Sequence, residues 1–279
     1  MKEKLGDSRE LRQVFLDSSG LIRALWGKGM RHAFSRHLHT SLCVGLVKEG
    51  KRSLFVRGRW YELGPGSLFL LPPGEPHECC CTGKGGHAYQ ILLWSPSFLR
   101  TLGSPGDDIF SGNPAFFEDP LLRKDFLDLF RISLEGKKPL LSKKGAPFLR
   151  KCLSHASFLS GKKELPDQRM SLLERYLAMH CCRRVPLEEL AELCSLSPWH
   201  VQRLFLRRFG VTPGEYASML RIRKSLEFLA QGRSCADTAL DLGFADQSHF
   251  SRTFRKIMGV PPGKICLEEP PSLSSFISD

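Results

Sequence analysis

The segment GFADQSHFSRTFRKIMGVPPG, residues 243–263, decides how the C-terminal third of this chain folds. Its closing pattern of Phe, a basic cluster, Gly-Val and Pro also ends an earlier segment, SPWHVQRLFLRRFGVTPG, residues 197–214. An offset of 49 residues aligns the two segments, and an offset of 48 aligns the residues that precede them. One supersecondary unit is therefore present twice, and we expect the second copy to have one extra residue at the start of its second helix.

Each copy has the pattern of two short helices separated by a tight break. Two helices joined by a turn of three or four residues form a helix-turn-helix motif, whose second helix enters the DNA major groove. In the first copy, Ser197 suits the N-cap and Pro198 the first helical turn. A helix of about 18 residues joins the copies and spans about 27 Å. With the width of the flanking motifs, this length predicts two recognition helices in successive major grooves, about 34 Å apart.

The second helix of each copy is amphipathic. At 100° per residue, Val201, Leu204 and Phe205 share the inner face of the first one, as Phe250 and Phe254 do in the second. The outer faces begin with residue types that read bases and end with residue types that bind phosphates, because Arg pairs with guanine, Gln with adenine and Ser with either. The predicted DNA-binding residues are Trp199, His200, Gln202, Arg203, Arg207, Gln247, Ser248, Ser251, Arg252, Arg255 and Lys256.

Residues 184–265 resemble the DNA-binding domain of AraC/XylS-type transcription regulators. The resemblance rests on LAELCSLSPWHVQRLF, YASMLRIRKSLEFL and ALDLGFADQSHFSRTFRKIMGVPPG. It implies that Trp199, Gln202 and Arg203 read bases in the first motif, and that Gln247, Ser248, Ser251 and Arg252 do so in the second. The sequence departs from the family at Ser195, where Gly is usual in the turn. Because Ser adopts a left-handed conformation only with strain, we expect the first turn to be slightly altered.

The first hundred residues have the pattern of a small β-sandwich or barrel. Apolar runs at 42–47, 53–56, 67–71 and 87–96 alternate with Gly, Pro and charged residues. RHLHTSLCVGLVKEG and GPGSLFLLPPGEPHECC resemble the cupin barrel that many regulators of this family use to bind an effector. Gly66, Pro72, Gly74 and His77 follow the second cupin motif, whose closing Asn position is Cys81 here.

The first cupin motif is incomplete, which leaves several ligands open. His37 and His39 supply its H-x-H pattern, but the acidic position that follows is occupied by Cys43 or Val44. We expect an effector to bind near His37, His39, Cys43 and His77. Three histidines, His37, His39 and His77, could instead hold a divalent metal, and Cys43, Cys79 and Cys81 together with His77 would suit a soft metal or a thiol sensor. A metal-dependent cupin enzyme is a third alternative, which the incomplete motif disfavours.

The predicted fold is α+β, with an N-terminal cupin-like β-barrel followed by an all-α domain with two helix-turn-helix motifs. Residues 1–104 form the effector domain, 105–180 a helical connector that could carry a dimer interface, 181–266 the DNA-binding domain and 267–279 a disordered tail. Leu122, Phe126, Leu129, Phe130 and Ser133 mark the apolar face of one connector helix. The expected partners are operator DNA, a small-molecule effector, RNA polymerase if the protein is an activator, and a second copy of the chain. We expect no catalytic residues and no cofactor.

The composition agrees with a DNA-binding protein of the cytoplasm. The 279 residues are 42% hydrophobic and 25% charged, as in globular domains. A net charge of +12 favours a polyanionic partner, although most of this excess lies before residue 181 and does not locate the DNA-binding domain. No apolar run has the length of a membrane span, and the polar N-terminal segment lacks the pattern of a secretion signal. The ten cysteines are therefore expected to be thiols.

Overall fold

The computed structural model describes residues 11–16, 22–83, 85–102, 114–155 and 168–266. A β-rich part precedes a helical part, so the predicted α+β class is confirmed. The predicted tail, 267–279, lies outside the described residues. The strands are β1 (Leu11–Leu16), β2 (Ile22–Met30), β3 (Phe34–His37), β4 (Leu42–Glu49), β5 (Arg52–Val56), β6 (Arg59–Leu63), β7 (Leu68–Leu71), β8 (His77–Cys81), β9 (His87–Trp94), β10 (Ala115–Phe117) and β11 (Ile265–Cys266).

The strands form two sheets that share one core. The larger sheet has the order β10-β7-β4-β9-β2-β1-β11, and the smaller has the order β3-β8-β5-β6. All pairings are antiparallel except that of β1 with β11. Every side chain of β9 is buried, because the larger sheet is covered by the smaller sheet on one face and by helices on the other. This double coverage explains why the central strands have continuous apolar runs and no alternation.

The helices are α1 (Pro96–Leu102), α2 (Pro120–Leu134), α3 (Lys138–His155), α4 (Gln168–His180), α5 (Leu187–Cys194), α6 (Pro198–Phe209), α7 (Pro213–Ala230), α8 (Cys235–Asp241) and α9 (Gln247–Met258). The apolar face predicted for α2 is buried against the larger sheet, in one cluster with Val44, Leu92 and Trp94. Among the described residues, no helix has the length and hydrophobicity that would let it cross a bilayer.

The sheet domain continues beyond residue 104, where we placed its end. Phe116 of β10 pairs with Phe69 of β7, and Phe126 of α2 and Phe148 of α3 pack in the cluster that covers the outer face of the sheet. The first helices of the predicted connector are therefore part of the β-domain. A three-residue strand such as β10 has too short a pattern to be recognised against the neighbouring Pro and Asp residues.

The helical domain packs directly on the β-domain. Helix α9 contacts β3, and β11 pairs with β1 through Arg12 and Ile265. Phe250 and Phe254 of α9 belong to the same buried cluster as Phe34 and Leu54 of the β-domain. The two domains thus meet along α9, which is one of the two predicted recognition helices.

Candidate nucleic-acid interface and effector cavity

Helix α6 is the second helix of the first motif, for which the sequence predicts the role of recognition helix. The Ser197 side chain accepts a hydrogen bond from the His200 backbone N–H at 3.3 Å, and Pro198 follows it, as predicted for an N-cap and first turn. Gly210 ends the helix in the left-handed conformation. Val201 and Phe205 are buried, as predicted. These contacts fix which face of α6 is exposed.

The exposed face of α6 contains Trp199, Gln202, Arg203 and Arg207. Trp199 is 68% exposed, which is unusual for an indole, and the Arg203 guanidinium lies over its ring at 4.6 Å. A cation–π contact of this kind orients Arg203 without removing its donors from solvent. The face therefore has an indole–guanidinium pair near its N-terminus and a further exposed cation, Arg207, towards its C-terminus.

Helix α9 has the same construction. The Asp246 side chain accepts from the His249 backbone N–H at 2.6 Å, and Gly259 ends the helix in the left-handed conformation. Phe250 and Phe254 are buried, whereas Ser251 is half-buried. The remaining predicted DNA-binding residues of this helix are exposed: Gln247, Ser248, Arg252, Arg255 and Lys256.

The turns of the two motifs are alike, which corrects two expectations. Ser195 adopts the left-handed conformation (φ 53°, ψ 46°), as Gly243 does (φ 69°). In both turns the next residue donates to a carbonyl five positions earlier: Leu196 to Ala191 and Phe244 to Ala239, each at 3.0 Å. The first turn is therefore not altered by Ser195. The extra residue of the second motif lies between the turn and the N-cap, not within the helix, because α6 and α9 both have 12 residues.

Helix α7 holds the two motifs in a fixed relation. Thr212 and Glu215 form a capping box at its start. Farther along, the Arg221 guanidinium donates to the Arg183 carbonyl at 2.8 Å and to the Gly243 carbonyl at 3.3 Å. Since Arg183 precedes the first motif and Gly243 lies in the turn of the second, one side chain ties both motifs to the connecting helix. A fixed relation between two recognition helices is needed to read two grooves at once.

A cavity of about 100 Å³ lies between the β-domain and the helical domain. The β-domain contributes apolar walls from Leu25, Ile91 and Leu93 and polar groups from β3 and β5. The helical domain closes it with Leu220 of α7 and Met258 of α9, among others. Of the four residues predicted near an effector, His37 and His39 line this cavity, whereas Cys43 is buried in β4 and His77 at the start of β8, and neither is part of the lining. The cavity therefore contacts both the β-domain and α9, one of the two predicted recognition helices.

The cavity is electropositive. Arg52 is only 4% exposed, and its guanidinium donates to His87 Nε2 at 2.9 Å and to Cys79 Sγ at 2.8 Å. Burial, followed by the charge of Arg52, lowers the pKa of His87 to about 4, so neither contact neutralises the arginine. Among the described residues, the Nε atoms of Arg52 and Arg23 have no hydrogen-bond partner. Burial, followed by Arg223, lowers the pKa of Arg23 to about 10.

The three histidines of the cupin-like motifs converge beside this cavity. Ligand nitrogens of His37, His39 and His77 lie within 4.8 Å of one another. His77 is 3% exposed, and burial, with a smaller effect of the other two imidazoles, holds its pKa well below the usual value. Within the described part of the chain, no cysteine joins this cluster. Cys79 and Cys81 alternate with His77 on β8, but each step of two residues moves them about 6.6 Å farther along the strand.

Sequence reasoning missed the arginines of the cavity. Arg52 stands in EGKRS, which has the pattern of an exposed turn, and Arg23 stands alone in an apolar strand. Arg223 lies in a helix with a charged outer face. Only the pairing of β5 with β8 and the packing of α7 on the β-domain bring these side chains to one place. The sequence contains no local signal for that arrangement.

Two helix-turn-helix motifs on one connecting helix, packed on a β-domain with a cavity between the two domains, define a transcription regulator with a ligand-binding domain. Residues 21–147 match the family model described as the AraC-like ligand binding domain, and residues 190–266 match a helix-turn-helix domain model. The chain belongs to the AraC/XylS family of transcription regulators. The ligand-binding match also extends past residue 104, as the sheet does.

Curated relatives have the same organisation over most of their length. The chain is 29% identical over 249 residues to an uncharacterized HTH-type regulator, YbfI, of Bacillus subtilis, covering 86% of this chain and 90% of that one. It is 28% identical over 276 residues to the MmsAB operon regulatory protein of Pseudomonas aeruginosa, covering 93% and 85%. The solved structure of ToxT from Vibrio cholerae has the same fold, with a TM-score of 0.62 at 15% identity over 88% of this chain and 97% of that one.

Proposed function

We propose that this regulator binds a small carboxylic acid in the cavity between its domains, and that the acid changes its affinity for operator DNA. The observation that carries the proposal is the buried guanidinium of Arg52. A buried cation is costly unless it is paired, and among the described residues Arg52 contacts His87, Cys79 and, at 4.5 Å, the ring of Tyr89, but no carboxylate. An anionic ligand would supply the missing charge.

The other cavity groups support an acid over a neutral ligand. Arg223 also lines the cavity and contributes to the lowered pKa of Arg23, while Glu227 acts on Arg23 in the opposite direction. Guanidinium groups bind carboxylates through paired hydrogen bonds, which are stronger than bonds between neutral groups. The apolar walls from Leu25, Leu93 and Leu220 would enclose the rest of the ligand.

The size of the cavity favours a short acid. An engineered cavity of about 150 Å³ in another protein accommodates benzene. The cavity here, at about 100 Å³, suits a smaller acid, and a larger one requires the flexible side chains of Met219 and Met258 to move aside. Structures of ToxT have been solved with an unsaturated fatty acid and with a naphthalenyl butenoic acid. Because ToxT is only 16% identical to this chain, we propose a class of ligand, the carboxylic acids, and no particular compound.

The position of the cavity supplies the coupling to DNA. Ile257 and Met258 line it from α9, whose outer face has Arg252 and Arg255. A ligand that binds better when α9 is docked on β3 shifts the population towards that arrangement, in proportion to its differential affinity. Base contacts are proposed for Trp199, Gln202 and Arg203 of α6 and for Gln247, Ser248, Ser251 and Arg252 of α9. Phosphate contacts are proposed for His200, Arg207, Arg255 and Lys256. Contacts with RNA polymerase and with a second copy stay predictions from the sequence.

The test is a thermal-shift and operator-binding series with the full chain. Straight-chain and small-ring carboxylic acids are compared with their uncharged amides. We expect an acid to raise the melting temperature and to change the operator Kd in fluorescence anisotropy, and we expect the amide to do neither. The two cavity variants, Arg52→Gln at the buried arginine and Arg223→Gln at the exposed one, should each lose the response. Arg59→Gln, on the outer strand β6, is the control and should keep it. Equal responses to acid and amide, or a full response in both cavity variants, would refute the proposal.

A further inference from the structure

The turn after α4 contains two adjacent cysteines, Cys181 and Cys182, that the proposed function does not use. Their sulfur atoms lie 3.9 Å apart. Cys181 is buried in the core of the first motif. Cys182 is half-buried and packs against two hydrophobic clusters, that of the first motif and that shared by the second motif and the β-domain. The Cys182 side chain therefore lies where the two helix-turn-helix motifs meet, and part of it reaches solvent.

Two cations of α7 lie beside this turn. The Lys224 ammonium donates to Cys182 Sγ at 3.3 Å, and this hydrogen bond raises the pKa of Lys224, so the lysine stays charged. The C-terminal end of α4 by itself would disfavour a negative charge, because its last carbonyls point towards the turn. The Arg221 guanidinium offsets that effect, since it donates to the carbonyls of Cys181 and Arg183. The turn is thus set in electropositive surroundings.

Cys182 differs from the other half-buried cysteines of the described chain. Burial raises the pKa of the Cys80 and Cys235 thiols, and the Cys81 thiol donates to the Gly83 carbonyl at 3.2 Å. Among these four described side chains, only the sulfur of Cys182 accepts a hydrogen bond from a cation. Reactive cysteines occur in partly exposed, electropositive surroundings, because the thiolate is the nucleophile. Cys182 has both features.

We propose that Cys182 is a modification site that reacts with small disulfides, with oxidised glutathione as the probe. The Cys182 thiol loses its proton to solvent, and the thiolate attacks one sulfur of the disulfide. A new S–S bond joins Cys182 to one half of the reagent, the old S–S bond breaks, and the other half leaves as a thiolate that takes up a proton. Cys182 is oxidised and the leaving half is reduced, so the exchange needs no further oxidant.

The neighbouring Cys181 thiol does not displace the attached group. Consecutive Cα atoms are about 3.8 Å apart, whereas disulfides usually join Cα atoms that are about 4.4–6.8 Å apart. Burial, followed by the effect of Cys182, also raises the pKa of the Cys181 thiol, which keeps its reactive form scarce. The expected product is therefore a mixed disulfide at Cys182, and not a disulfide between the two cysteines.

The attached group would act on the second helix-turn-helix motif. A Cβ on Gly243, in the turn of that motif, would lie 2.3 Å from the Cys182 carbonyl oxygen, so the two turns are already in close contact. Arg221 joins the same turns through the carbonyls of Arg183 and Gly243. A bulky group on Cys182 would break the contact with Lys224 and displace its turn from α7, so we expect weaker operator binding. This effect does not require an acid in the cavity.

The site is tested with full-length protein that is reduced, desalted and incubated with oxidised glutathione. Intact mass and peptide mapping follow the reaction with time, and we expect one glutathione per chain, attached first at Cys182. Lys224→Gln should slow this step about 2- to 5-fold, as expected for the loss of an exposed charge pair, and Lys224→Arg should keep most of the rate. Lys124→Gln, at an exposed lysine of α2, is the matched control and should react as the parent does.

First attachment at another cysteine, or an unchanged rate in Lys224→Gln, would overturn the site. Loss of two hydrogens per chain without an attached group would overturn the mixed disulfide. The modified protein is then compared with Cys182→Ser after the same treatment, each shown to be folded by circular dichroism. We expect modification to raise the operator Kd about 5-fold or more, and reduction with dithiothreitol to restore it. An equal Kd would overturn the effect on DNA binding. Lys224→Gln keeps both thiols and tests the site if Cys182→Ser does not fold.

Discussion

Replacing Ser195 by Gly should stabilise the helical domain without changing its function. Ser195 has φ 53° and ψ 46°, and this left-handed conformation costs an L-residue about 1–2 kcal/mol. Glycine removes that cost but loses about 0.4–1 kcal/mol through the greater freedom of its unfolded chain. The net gain is about 0.5–1 kcal/mol, because the hydroxyl of the exposed Ser195 makes no hydrogen bond in the described structure. For a cooperative unit of about 100 residues this corresponds to a rise of about 2–8 °C in melting temperature.

Thermal unfolding of the full chain, followed by far-ultraviolet circular dichroism, measures this gain. Ser195→Ala is the matched control: it removes the hydroxyl, keeps Cβ and should leave the melting temperature within about 2 °C of the parent. Gly243→Ala probes the equivalent turn, where a Cβ would lie 2.3 Å from the Cys182 carbonyl oxygen, and should be strongly destabilising. Operator affinity of Ser195→Gly should equal that of the parent. Equal melting temperatures for the Gly and Ala variants would refute the strain argument.

The DNA-binding faces and the core yield three further predictions. Arg203→Ala and Arg252→Ala should each cost about 1–3 kcal/mol on the operator and relax base preference in one half-site only, as measured by binding to a randomised DNA library; a footprint over a single major groove would contradict the two-helix arrangement. Arg207→Ala should weaken binding to all sequences and lower the salt slope of log Kd by about 1, and an unchanged slope would show that it does not contact phosphate. Phe254→Ala should cost about 3–5 kcal/mol in a urea denaturation series, because the ring is fully buried between the domains, and a cost below 1 kcal/mol would contradict that packing.

The helical domain was predictable because its information is local. The spacing of Val201, Leu204 and Phe205 on α6 is set by the period of one helix, and a neighbouring chain segment does not change it. The N-cap at Ser197 and the left-handed turn at Ser195 are likewise set by residues within one turn of the helix. The buried face of α2 was predictable for the same reason, and the structure confirms it.

The cavity was not predictable because its parts are brought together by long-range pairing. Arg52 enters it through the pairing of β5 with β8, while Arg223, 171 residues later in the chain, enters from α7. The same difficulty applies to β10, which joins the sheet only by pairing with β7, and to β11, which pairs with β1 at the opposite end of the chain. The charge of a side chain is readable from sequence, but whether that charge is buried depends on contacts that hydrophobic periodicity does not describe.

The strand β3 contacts the ends of both recognition helices, which suggests how one ligand could act on both. Gly210 ends α6, and a Cβ there would lie 2.5 Å from the side chain of Arg36. Gly259 ends α9, and a Cβ there would lie 2.9 Å from the ring of Phe34. The two glycines are therefore needed for the left-handed ends of their helices and also for the close approach of β3. Since His37 ends β3 and lines the cavity, any ligand that moves this strand must change the packing of α6 and α9 together. The fixed relation between the motifs, held by Arg221, means that such a change would alter the position of the whole DNA-binding unit on the β-domain and not the spacing of its two helices.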